Sequence, residues 1–136
     1  MKKLALTTLA LFTLTAQAKE LDKFKEVEKE VGKGGPITFV MDLESCKSDK
    51  KLNVVGLVIP NVVMIVDGNR ITASNQHFTL NSSAGEGIPA YDYTKYDITE
   101  DGGVSVQVTQ MRATDYSVIS TSSIECQLGK SFKIYR

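Results

Sequence analysis

The sequence predicts an α+β domain: one N-terminal helix packed on an antiparallel β-meander of about seven strands, a sheet open to curling into a partial barrel. Three observations carry this. Apolar residues recur at helical spacing just after the N-terminus. The remainder is β-rich and punctuated by hairpin turn signals. No strand–helix–strand rhythm appears, so a parallel sheet is not expected.

The helix is expected over residues 19–31. Leu21, Phe24, Val27 and Val31 form one apolar stripe at spacings of three, three and four, with charges at most other positions. The glycines at 32, 34 and 35 and Pro36 stop it. Its charged face is read as solvated, the stripe as packed on the sheet. Strands follow over 37–43 and 54–66, the second interrupted by Gly56 and Pro60-Asn61. Proline cannot donate to a central ladder, so a bend or an edge belongs there. Asp67-Gly68-Asn69 is a hairpin turn. Residues 70–80 form a strand, 81–89 a polar loop, and 90–99 a strand carrying Tyr91, Tyr93 and Tyr96. Asp101-Gly102-Gly103 turns the chain into Val104, Val106 and Val108, which alternate with Ser105, Gln107 and Thr109. That period of two sends one face inward. Strands over 115–125 and 131–135 complete the meander.

The first residues read as an export signal. Lys2 and Lys3 precede an uncharged apolar run over 4–14, and Ala16-Gln17-Ala18 has the small-x-small pattern of a signal-peptidase site. Cleavage is expected after Ala18, giving a signal peptide over 1–18 and one domain over 19–136. A membrane span needs about 20 apolar residues, more than this run supplies. The mature chain is expected in the periplasm or secreted beyond it. Removing Lys2 and Lys3 from the 16 basic residues leaves 14 against 16 acidic, a net charge of −2. That balance offers no electrostatic case for nucleic acid or an anionic membrane.

Cys46 and Cys126 are the only cysteines. Outside the cytosol, disulfides form and persist. One bridge spanning 80 residues, from 46 to 126, stabilises by roughly 4 kcal/mol in the chain-entropy model. The alternatives are a metal pair and a free thiol, although two Cys with one distant His make a poor zinc set.

His77, in Gln76-His77-Phe78-Thr79, is the sole histidine and the one candidate general base near neutral pH. The nearest acids along the chain are Asp67 and Glu86, so no local carboxylate orients it, and no serine sits in a Gly-x-Ser-x-Gly elbow. Tyr91 and Tyr93 share one strand face with Tyr96 opposite. They suit either a pocket wall or ordinary cross-strand packing. Asp42, Asp92, Asp97 and Asp115 could offer metal oxygens, but their spacing matches no calcium loop. No metal and no cofactor is expected.

Asp42-Leu43-x-x-Cys46 comes first, then His77-Phe78-Thr79, then Pro89 with Tyr93 and Tyr96. The Asp101-Gly102 turn follows, and Cys126 precedes Gly129 and Phe132. In this order the pieces resemble the VirK protein family, small exported bacterial proteins linked to virulence loci. The resemblance spans roughly residues 24–134. It implies export, a bond between the two matching cysteines and a role at a host interface, but no reaction. Where the family pattern leads one to expect an acid shortly before His-Phe-Thr, this chain has Asn75, which weakens an acid–base role for His77. The leading expectation is therefore a non-enzymatic, monomeric module that binds a protein or envelope component. Two alternatives remain open: a carrier of a small apolar ligand within a curled sheet, and a hydrolase using His77. A carrier needs an apolar cavity, a hydrolase needs a partner for His77, and an interaction module needs exposed apolar surface.

Overall fold

The computed structural model describes residues 17–136. The charged and apolar parts of the expected export signal, residues 2–14, lie outside the described residues; Ala18 is exposed and in no regular element. The elements run α1 (Phe24–Gly32), β1 (Thr38–Asp42), a single 3-10 turn (Leu43–Ser45), β2 (Lys47–Ser48), β3 (Val55–Val58) and β4 (Val62–Val66). Then come β5 (Arg70–Ser82), β6 (Gly85–Thr99), β7 (Gly103–Arg112), β8 (Val118–Gln127) and β9 (Phe132–Tyr135). A small sheet has the order β3-β1-β9 and a large one the order β2-β8-β7-β6-β5-β4, with every pairing antiparallel. Among the described residues the α+β class with one helix holds, but the larger sheet keeps two open edges and does not close into a barrel.

Four expectations need correction. The helix is shorter, because residues 19–21 are extended beside β9. Backbone bonds join Lys19 with Arg136 in both directions, and the Leu21 N–H donates to the Ile134 carbonyl. Leu21 is buried as a strand-like residue, so its apolar spacing is no evidence of helix. The strand expected over 54–66 splits at Pro60 into β3 and β4, which belong to different sheets. Past the proline, Asn61 takes over the ladder: its N–H donates to Ser74 and its Oδ1 accepts from the Gln76 N–H at 2.9 Å. The loop expected over 81–89 is instead the end of the β5–β6 hairpin, with Asn81 opposite Glu86 and Ser82 opposite Gly85. Finally, β8 begins at Val118, because Asp115 caps a turn by accepting from the Ser117 N–H and hydroxyl. The split at Pro60 and the two-residue β2 make nine strands where seven were expected.

The turn at Asp67-Gly68 is as expected, and its backbone explains the residue choice. Both residues have positive φ, 53° and 68°. Those values suit a turn closed by the Asn69 N–H on the Val66 carbonyl within the three-residue connection 67–69, and glycine adopts them without strain.

Inner-face side chains of the large sheet form rows across its strands. Ile71, Ile98, Val104 and Cys126 make one row; Ala73, Tyr96, Val106 and Ile124 make the next. These eight are buried. Phe39 of β1 and Phe132 of β9 pack onto them, with Phe39 lying 5.1 Å from Tyr96 and 5.0 Å from Phe132, ring centre to ring centre. Phe24 and Val27 of α1 complete the core.

Burial raises the Tyr96 hydroxyl to a pKa of about 12 from an ordinary 10.0, an effect partly offset by its bond with Thr94. A proton held more tightly in the folded state stabilises that state fully below pH 10. The contribution is then lost as pH rises toward 12. Each tenfold change in proton affinity is worth about 1.4 kcal/mol, so roughly 2–3 kcal/mol is at stake. Thermal melts between pH 9 and 12 should therefore fall less steeply for Tyr96→Phe than for the unmodified chain; parallel curves would show that another group controls the alkaline limit.

Candidate functional site

Beyond the two apolar rows, the same inner face changes character. The third row is Asn75, Thr94, Val108 and Ser122; the fourth is His77, Asp92, Gln110 and Ser120. Strand alternation alone places these side chains on the core face; Thr94 and Gln110 are buried there, whereas His77, Ser120 and Ser122 are exposed. The fourth row is wired together. Asp92 Oδ2 lies 3.3 Å from His77 Nε2. Asp92 Oδ1 accepts from Gln110 Nε2 at 2.7 Å. Gln110 Oε1 in turn accepts from the Ser83 N–H at 2.6 Å and its hydroxyl at 2.8 Å. The Ser83 and Ser120 hydroxyls are 3.1 Å apart. Thus the tip of the β5–β6 hairpin reaches across β7 to β8, and the Asp92 carboxylate is fixed in orientation by a buried amide. Ser83, Asp92, Gln110 and Ser120 line an open cleft of about 590 Å³.

Sequence separation hides this arrangement. The expectation that His77 has no carboxylate to orient it is overturned, because the β5–β6 register sets Asp92 directly opposite. A pair fifteen residues apart becomes adjacent once the hairpin forms. A nucleophile is another matter: among the described residues, no serine or threonine hydroxyl bonds to His77, and of the cleft serines Ser83 is engaged with Gln110 and Ser120 with Ser83. An oriented imidazole without a hydroxyl at its other nitrogen is half of a hydrolytic arrangement.

Next to the fourth row lies a second, apolar hollow. Its volume is about 310 Å³, and it opens between the large sheet and the overhanging ends of β1 and β3. Met41, Val54 and Val58 face Tyr96, Val106, Val108 and Ile124 across it, with His77 and Asp92 at its rim.

The adjoining row points the other way. On the outer face, Phe78, Tyr91, Met111 and Val118 stand side by side across four strands. Phe78 meets Tyr91 edge-on at 5.8 Å, and Tyr116 stacks on Tyr91 at 5.9 Å with planes 9° apart. Phe78, Tyr93, Tyr116 and Val118 are exposed, Tyr116 at 62%. Tyr116 also has left-handed backbone, φ 59°. An ordinary side chain there costs roughly 1–2 kcal/mol relative to glycine. Neighbouring residues of His77-Phe78-Thr79 therefore serve opposite faces, and Tyr91 and Tyr93 share the outer face while Tyr96 lies in the core.

The other candidates are dispersed. Asp42 accepts from the Ser45 hydroxyl at 2.7 Å and shapes the turn after β1. Thr79 accepts from the Asn81 N–H beside a register shift in the hairpin. Asp97 lies 2.9 Å from Lys95 and 3.7 Å from Arg70. Hydrogen bonds from Ser117 hold the exposed Asp115 carboxyl below the usual carboxylate range. Cys46 and Cys126 are joined by a disulfide. Among the described residues, no helix is long and apolar enough to cross a membrane.

Comparison with known proteins gives a consistent picture. A family model described as VirK protein matches residues 20–116. The uncharacterized protein y4wH of Sinorhizobium fredii is 26% identical over 122 residues, covering 85% of this chain and 81% of that one. The crystal structure of lpg1832, a VirK family protein from Legionella pneumophila, superposes with a TM-score of 0.83 at 35% identity, covering 86% of this chain and 98% of that one.

Proposed function

The chain belongs to the VirK protein family, and from that premise we propose that it is an exported, non-enzymatic module that binds a protein or envelope component through the outer face of its large sheet. The observation that carries this reading is the aromatic row. Phe78, Tyr91 and Tyr116 form a continuous platform, two of its three rings exposed. Exposed aromatics on a rigid sheet are the side chains that most often anchor interfaces. Tyr116 adds weight, since a tyrosine stands where backbone conformation favours glycine. The partner lies in the periplasm or beyond the cell, in a setting of virulence or envelope function.

A photocrosslinking analogue of phenylalanine in place of Tyr116 tests this. In the native host it should give one discrete adduct in the exported fraction, containing a chain that begins at Lys19. Adding Phe78→Ser should abolish the adduct. A chain still carrying residues 1–18 would refute export. No adduct, or the same adducts from a crosslinker at Lys29 on the solvated helix face, would refute the outer-face reading.

A further inference from the structure

We propose that the apolar hollow on the inner face is a binding site for a small amphipathic monocation, an alkyl or aryl amine with its apolar body in the hollow and its ammonium group on Asp92. This is independent of the outer-face reading, because it uses the opposite side of the sheet.

The hollow has the composition of a ligand site. Its walls are aliphatic apart from Tyr96 and the buried Thr94, and Asn75, His77 and Asp92 supply its other polar groups. At about 310 Å³ it stands at the small end of the range in which such sites fall, roughly 300–1,000 Å³. The preference for a cation follows from charge. The residues lining the hollow and the neighbouring cleft include Asp92 and Glu86 but no lysine or arginine. A carboxylate ligand would meet Asp92 with no lysine or arginine among the lining residues to offset it, whereas an ammonium gains a charge-assisted hydrogen bond. Orientation is already arranged. Gln110 holds Oδ1, and Ser83 holds Gln110, so the carboxylate is held with Oδ2 at the rim, 3.3 Å from His77 Nε2. An incoming ammonium exchanges with the His77 imidazole at that oxygen. The overhang supplies the lid: Val54, 51% exposed, lies at the mouth, and Gly56 leaves space where a side chain would press on Met41.

Titration of the 15N-labelled protein with octylammonium, octanoate and octanol tests the site. Octylammonium should bind saturably, with shift changes centred on the amides of Thr94, Val106, Val108 and Ile124. Asp92→Asn preserves an acceptor for Gln110 but removes the charge, and should weaken octylammonium binding about tenfold or more. Gly56→Leu should abolish binding of every probe while leaving the spectrum of β7 and β8 folded. Octanoate or octanol binding as tightly as octylammonium would overturn the assignment of a cation. Absence of saturable binding by all three, or undiminished binding to Gly56→Leu, would overturn the site itself.

Discussion

Phe39→Ala is expected to cost about 3–5 kcal/mol of folding stability. Phe39 is fully buried and stands at the meeting of the two sheets. Its ring contacts Tyr96 of the large sheet and Phe132 of β9, and β1, which carries it, is the central strand of the small sheet. Removal leaves a cavity walled by two rigid aromatic rings and by β-strand backbone, elements that relax poorly into a void. Domains of this size are stable by about 5–15 kcal/mol, so the loss is a large fraction of the whole. Urea unfolding followed by far-ultraviolet circular dichroism should show the midpoint falling sharply with the slope unchanged. Phe39→Leu should lose less, because it leaves a smaller void. A loss below about 1 kcal/mol for alanine would mean that the small sheet is not cooperative with the large one.

The small sheet is the part of the fold least legible in the sequence. Alternation in Val104, Val106 and Val108 identifies β7 and its inward face directly, because a half-buried antiparallel strand has no other way to satisfy its pattern. The run over 54–66 has no such alternation. Apart from Asn61 it has no polar side chain, and in the structure it exposes Val55, Leu57, Val62 and Met64 on two edge strands. An apolar run reads the same whether it is a core strand, an edge or a bend, so only Pro60 marks the break. The helix pattern overreaches for a related reason: Leu21 is buried from either a helix or a strand, and backbone pairing with β9 decides the outcome.

The candidate sites are legible only in part. Periodicity assigns Tyr91 and Tyr93 to one face and Tyr96 to the other. It cannot show that the outer tyrosine row is completed by Phe78 and Tyr116, which come from other segments. The row of His77, Asp92, Gln110 and Ser120 depends on register, which hairpin geometry fixes and local composition does not. Counting back from a hairpin centred on Ser83-Ala84 would set His77 opposite Ala90; the register shift between Thr79 and Asn81 moves it opposite Asp92. A loop over 81–89, which its polar composition suggests, leaves that register undefined.

The second large effect is expected at the disulfide. Cys46 follows the turn after β1, Cys126 lies near the end of β8, and their bond ties the small sheet's central strand to the large sheet. Apart from this bond, the segment after the turn is held to β8 by the two residues of β2. With the cysteines separated by 80 positions in sequence, replacing both by alanine is expected to cost roughly 4 kcal/mol in the chain-entropy model. Most of that acts on the unfolded chain, which expands once the loop is open. The urea slope should therefore rise as the midpoint falls, unlike the Phe39 variant, whose slope should not change. The difference in slope separates a lost cross-link from a lost packing contact even if the two free energies coincide. Equal slopes for the oxidised chain and the double alanine variant, with a loss under about 1 kcal/mol, would show that the loop is already closed by residual structure. The same reasoning links stability to compartment. Protein made without residues 2–18 in a reducing cytosol should lack the bond and be cleared faster by proteases than the disulfide-bonded chain.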